Sequence, residues 1–159
     1  FWNAGGGQLL DASEKTGGLF VEPLVARGLA VGDIDGDGDL DLLLTTNGGP
    51  AYLLRNEGPT GYAVALDLTG KAPNLDAVGA VVKATVGGAT QVQMVRTGSS
   101  YLSHSPLALT FGLGDAEGID RLEIRWPDGA EEVLEDVVAG ARYDIAQGRG
   151  IVRQQAFAR

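Results

Sequence analysis

Between Tyr62 and Ala146 the chain alternates apolar and polar residues with a period of two, in the runs "YAVALDL", "AVVKATV", "TQVQMVRT", "LALTFGL", "DRLEIRW", "EEVL" and "RYDIA". Such alternation places one side-chain set on each face of a pleated strand. The breaks between runs, "TGKAPN", "GGA", "GSS", "GDAEG" and "PDGA", supply glycine, proline and aspartate where turns need them. Seven short strands at this spacing predict a β-sandwich or small barrel. Pro127-Asp128-Gly129 predicts a tight hairpin after Trp126.

Upstream the texture differs. Phe1 to about Val31 reads as irregular, and "DASEKTG" can form one helical turn at most. Leu29 to Asn56 reads as a compact β unit: "LAV" runs into an aspartate-rich loop, "LDLLLTT" follows, Asn47-Gly48 turns the chain, and "AYLLRN" returns. The tail, "GRGIVRQQAFAR", is expected to be extended and, on its own, frayed. The expected organisation is therefore a β unit over 1–60, a sandwich over 61–147 and a tail over 148–159.

The stretch "GDIDGDGDLDLLL" carries five aspartates, Asp33, Asp35, Asp37, Asp39 and Asp41. Like charges so close repel by roughly a kcal/mol per pair even in water. A cation offsets that cost. Counted from Asp33, the carboxylates of Asp33, Asp35, Asp37 and Asp41 fall at positions 1, 3, 5 and 9, Gly38 permits a sharp turn at 6, and Asp39 offers its carbonyl at 7. This donor set suits Ca2+, which takes six to eight oxygens in flexible geometry. An EF-hand is excluded, because position 12 is Leu44 rather than a bidentate glutamate and the loop leads into a strand.

Composition sharpens this picture. The 159 residues carry a net charge of -9, with 25 glycines and no cysteine. An acidic surface disfavours nucleic acid, whose phosphates need a basic partner. Disulfide staples and zinc–thiolate sites are excluded, and no apolar run approaches the roughly 18 residues of a membrane span. Residue 1 is Phe rather than Met, as expected of a mature or trimmed chain whose leader, if any, has been removed.

Two resemblances emerge. "GLAVGDIDGDGDLDLLLTTNGGPAYLLRNEG" resembles an FG-GAP (VCBS-type) repeat, the calcium-binding blade unit of integrin-like β-propellers, with "FWNAGGGQLLDASEKTG" similar to a worn inter-blade segment. The resemblance implies Ca2+ on Asp33, Asp35, Asp37 and Asp41, with Asp39 at the carbonyl position. From about Gly61 to Ala146 the chain resembles the ASPIC/UnbV domain, through "GSSYLS", "FGLG" and "WPDG". Together they imply an all-β, extracellular or cell-surface, calcium-stabilised adhesion-type protein with no established catalytic residues. The expected partner is a protein or glycan at the cell surface. A closed propeller needs several blades, so the blade unit must pack on the second domain, belong to a longer parent, or be completed by a neighbour.

Other functions are weaker. The single histidine, His104, sits among Ser99, Ser100, Ser103 and Ser105 but without a nucleophile elbow. Glu123, Glu131, Glu132, Glu135 and Asp136 read as strand surface rather than a glycosidase pair. Trp2, Trp126, Tyr62 and Tyr101 can line the face of a carbohydrate-binding accessory module, although isolated aromatics in β domains usually serve the core. A third expectation is self-association, in which the tail adds as a strand to a neighbour and builds a homo-oligomer or filament.

Overall fold

The protein was analysed as a computed structural model. It describes residues 1–5, 7–57 and 61–158, with only the backbone at residue 3. The expected boundary between 60 and 61, and Arg159 of the tail, therefore touch positions outside the described residues. The architecture is all-β, in several mostly antiparallel sheets. No helix among the described residues is long and apolar enough to cross a membrane.

Each of the seven alternating runs forms a strand. They are β6 (Tyr62–Thr69), β7 (Val81–Val86), β8 (Ala89–Met94), β9 (Leu109–Gly114), β10 (Gly118–Arg125), β11 (Glu131–Val138) and β12 (Ala141–Ala146), followed by β13 (Gly150–Ala156). They make two four-stranded sheets, ordered β11-β10-β7-β8 and β13-β12-β6-β9. Only the β6/β12 pair is parallel. The period-two pattern explains the core: Val64 and Leu66 of β6, Val82 and Ala84 of β7, and Leu109, Phe111 and Leu113 of β9 face inward. Leu122 and Ile124 of β10 and Tyr143 and Ile145 of β12 join them, with Trp126 fully buried. Full burial of one such side chain contributes about 1.5–3 kcal/mol.

Polar side chains fasten the corners. In the hairpin after Trp126, Asp128 accepts the Ala130 N–H at 3.0 Å through one carboxylate oxygen. Its other oxygen accepts the buried Gln147 amide at 2.7 Å. These two bonds hold the Asp128 carboxyl below its ordinary pKa, the Ala130 amide contributing most. Tyr143 donates its hydroxyl to the Val138 carbonyl at 2.7 Å, while burial raises its phenol pKa.

The tail is not a separate unit. Residues 150–156 pair antiparallel with β12, from Ala146↔Gly150 to Ala141↔Ala156, as the edge strand of their own sandwich. The tail's pairing is thus within its own chain. Its pattern was weak because most of its residues face solvent.

The first region is built differently. β1 (Trp2–Gly5) and β2 (Gln8–Leu10) form a hairpin within the stretch expected to be irregular, and pair only with each other. One helical turn, α1 (Ser13–Thr16), follows; just before it, Asp11 accepts both the amide and the hydroxyl of Ser13. β3 (Ala26–Gly32), β4 (Asp41–Thr46) and β5 (Tyr52–Leu54) then make a three-stranded antiparallel sheet. Register places Leu43 and Leu53 on one of its faces, and Leu42, Leu44, Tyr52 and Leu54 on the other.

Candidate metal centre

The aspartate loop connects β3 to β4, whose register closes at Gly32↔Asp41. Gly36 and Gly38 adopt φ of 81° and 95°, in the left-handed region that favours glycine. Asp33 organises the turn from inside, accepting the Gly36 N–H at 2.7 Å on one oxygen and the Gly38 N–H at 3.2 Å on the other. Asp37 accepts the Asp39 N–H at 2.9 Å. One carboxylate oxygen from each of Asp33, Asp35 and Asp37 lies within 4.8 Å of the others. Around an ion with Ca–O distances of about 2.4 Å, two ligands are at most about 4.8 Å apart. The three carboxylates therefore fit such an ion.

Asp41 is placed differently from its neighbours. Its side chain is 2% exposed, and it accepts the Ile34 N–H at 2.9 Å and the Asn56 N–H at 2.8 Å. It therefore ties both ends of the loop to the chain leaving β5. Asp39 contributes its amide to the loop's internal bonding and lies outside the three-carboxylate group.

Arg55, just beyond β5, lies across the loop. Its guanidinium pairs with Asp35 and, at 3.0 Å, with Glu57. These contacts raise its pKa further above an already high value, the Asp35 hydrogen bond contributing most. One cationic side chain thus already shares the most exposed of the three carboxylates.

Among the described residues, two sets of contacts tie this sheet to the sandwich. The first is the "GSSYLSHSP" segment between β8 and β9. Ser103 donates its hydroxyl to the Leu29 carbonyl at 3.0 Å, and Ser105 accepts the Val31 N–H at 3.2 Å. Leu29 C=O and Val31 N–H lie on the side of β3 away from β4, so two serines occupy the positions that an added strand needs. Gly28 and Gly32 permit the approach. A β-carbon at Gly28 meets the Tyr101 carbonyl at 3.2 Å, and one at Gly32 meets Pro106 at 3.2 Å. The second connection is the chain end after β13: Phe157 packs on Gly38, and the Ala158 N–H donates to the Gly36 carbonyl at 2.7 Å.

Sequence reasoning gave neither connection a role. The serine partners lie 74 residues away along the chain, and the only local signal was the density of short hydroxyls in a turn. His104 is exposed beside serines bonded to β3 and to one another. Of the four aromatics considered for a binding face, Trp126 is buried in the core, while Trp2, Tyr62 and Tyr101 are exposed. Among the carboxylates, Glu123 and Glu135 flank Arg121 at 3.3 and 3.4 Å, and Glu132 accepts the Gly148 amide.

A two-sheet sandwich whose β8–β9 segment clasps a small sheet bearing an acidic turn defines the class of this all-β protein. The chain belongs to the ASPIC and UnbV family, whose model matches residues 70–152. The match lies within the sandwich and extends into β13, past the boundary expected from sequence; the aspartate loop lies outside it. No curated protein matches the chain.

Proposed function

We propose that the protein is a non-catalytic, calcium-binding interaction module that works outside the cell or at its surface. The blade-like unit is an FG-GAP-type repeat, and the sandwich is its rigid support. The observation that carries this reading is the convergence of the Asp33, Asp35 and Asp37 carboxylates within 4.8 Å on a loop between two strands. Bound Ca2+ neutralises that charge and fixes β3 and β4 in register. Asp33, Asp35 and Asp37 are the direct ligands, and Asp41 shapes the loop through the Ile34 and Asn56 amides. The extracellular placement follows from the sequence resemblance. A protein or glycan partner then docks on the surface that calcium orders.

The apolar residues on both faces of the β3-β4-β5 sheet support the blade reading, since exposed apolar faces mark surfaces that a further element covers. In a thermal melt, CaCl2 should raise the transition and excess chelator should lower it. Calcium affinity should fall in the range of about 10⁻⁴–10⁻³ M typical of extracellular modules. Asp35→Asn and Asp37→Asn should each remove most of the stabilisation. A melt indifferent to calcium and chelator overturns the reading.

A further inference from the structure

We propose that Phe157 and Ala158 form a strap whose seating is coupled to cation occupancy of the aspartate loop, so that each strengthens the other. This rests on the calcium reading above and extends it to how the site is regulated.

The strap reads two loop positions that alternate with the carboxylates. A β-carbon at Gly38 falls 2.5–2.9 Å from ring atoms of Phe157, so the ring occupies the space above that residue. The next amide, Ala158 N–H, bonds to the Gly36 carbonyl at 2.7 Å. Gly36 lies between Asp35 and Asp37, and Gly38 directly follows Asp37. Both glycines hold left-handed backbone angles that the turn requires. The geometry that gathers the carboxylates is therefore the geometry that seats the strap.

The strap's other end is independent of the loop. Phe157 N–H donates to the Gly140 carbonyl at 3.0 Å, directly after Ala156 pairs with Ala141. The sandwich thus presents a fixed arm, and only its last residues respond to the loop. Without a cation, three carboxylates within 4.8 Å repel one another. Opening of the loop then moves Gly36 and Gly38 away from the strap. Conversely, a seated strap opposes that opening and lowers the cost of binding. Linkage requires the two effects to be equal in free energy.

The strap also walls a cavity of about 550 Å³ lined by Asp37, Asp39, Glu57 and Asp115. Unseating the strap opens that acidic cavity and the end of β13 together.

The test is calorimetric titration of the full chain with CaCl2 after removal of bound ions, paired with amide exchange of the peptide spanning β13 and the strap. Phe157→Ala and Ala158→Pro should each weaken calcium binding about five- to ten-fold, a modest allosteric coupling. Phe157→Leu, which keeps an apolar group on Gly38, should remain within about two-fold of wild type by the same scale. Calcium should slow exchange at Ala158 in wild type and not in Phe157→Ala. Urea transitions of all three variants check that the sandwich is intact. Wild-type binding with unchanged affinity in both F157A and A158P overturns the coupling and leaves the calcium reading standing. A flat wild-type titration overturns the calcium reading and the coupling with it.

Discussion

The two halves of this chain hold themselves together by opposite means. In the sandwich, buried side chains from β6, β7, β9, β10, β11 and β12 form one apolar cluster. Among the described residues before Tyr62, the buried positions are Gly28, Gly38 and Asp41, none of them a large apolar side chain. Many of that region's large hydrophobic residues, including Phe1, Trp2, Leu9, Leu43 and Leu53, are exposed, and the others, such as Leu42, Leu44 and Leu54, are only half-buried. The first region keeps its shape through a carboxylate that bonds amides, glycines that permit turns, and two serines from the other half. A small sheet can thus be well defined while contributing little hydrophobic stabilisation of its own.

The largest test of that difference is Trp126→Ala, which should cost about 3–5 kcal/mol in urea unfolding by leaving a cavity in the core. Leu53→Ser should stay within about 0.5 kcal/mol, as surface substitutions do. Equal effects would mean that the three-stranded sheet belongs to the same cooperative core. Next in size is Asp41→Ala, which strips the acceptor from the Ile34 and Asn56 amides. It should cost about 2 kcal/mol and speed amide exchange in β3 and β4 while leaving β6 to β12 protected.

The double change Ser103→Ala/Ser105→Ala sharpens the contrast at the joint. It should cost about 1 kcal/mol, release protection at Val31, and open the β3 edge to pairing. Size exclusion at rising concentration should then show more association than in wild type. The smallest effect concerns pH. Asp128 is held below its ordinary pKa of 3.8 by the Ala130 and Gln147 bonds. Its contribution is therefore present above that value and lost as pH falls through the folded pKa. Asp67 is raised instead, by burial first. The folded state binds its proton more readily, so its contribution is present in acid and lost as pH rises through the raised value. In urea midpoints between pH 5 and 2.5, the gap between wild type and Asp128→Asn should narrow toward acid. Relative to Asp67→Asn, wild type should instead gain stability toward acid.

The same division explains what was legible in the sequence. Alternating runs found every strand from β6 to β12 because one buried face imposes a strict period. Asn47-Gly48 and Pro127-Asp128-Gly129 marked their turns because those backbone angles restrict the residue choice. The aspartate spacing located the loop and the three gathered carboxylates. It did not separate Asp41, whose burial against Asn56 depends on where β5 ends. The extended tail was legible, but its place beside β12 was not, because an edge strand exposed on both faces carries no period to name its partner. The serine clasp was hidden because its partners are distant in the chain, and the β1–β2 hairpin because glycines permit many turns without dictating one.

The serine clasp has a consequence for how the molecule meets changing water. Ser103 and Ser105 are neutral, and they bond to neutral backbone groups of β3. Such a joint has no charge for salt to screen and no proton to lose across the physiological range. The aspartate loop, by contrast, gathers three carboxylates within 4.8 Å and pairs one of them with Arg55, charges that dissolved salt screens. Salt can therefore weaken contacts at one end of the small sheet while leaving the serine joint to the sandwich untouched.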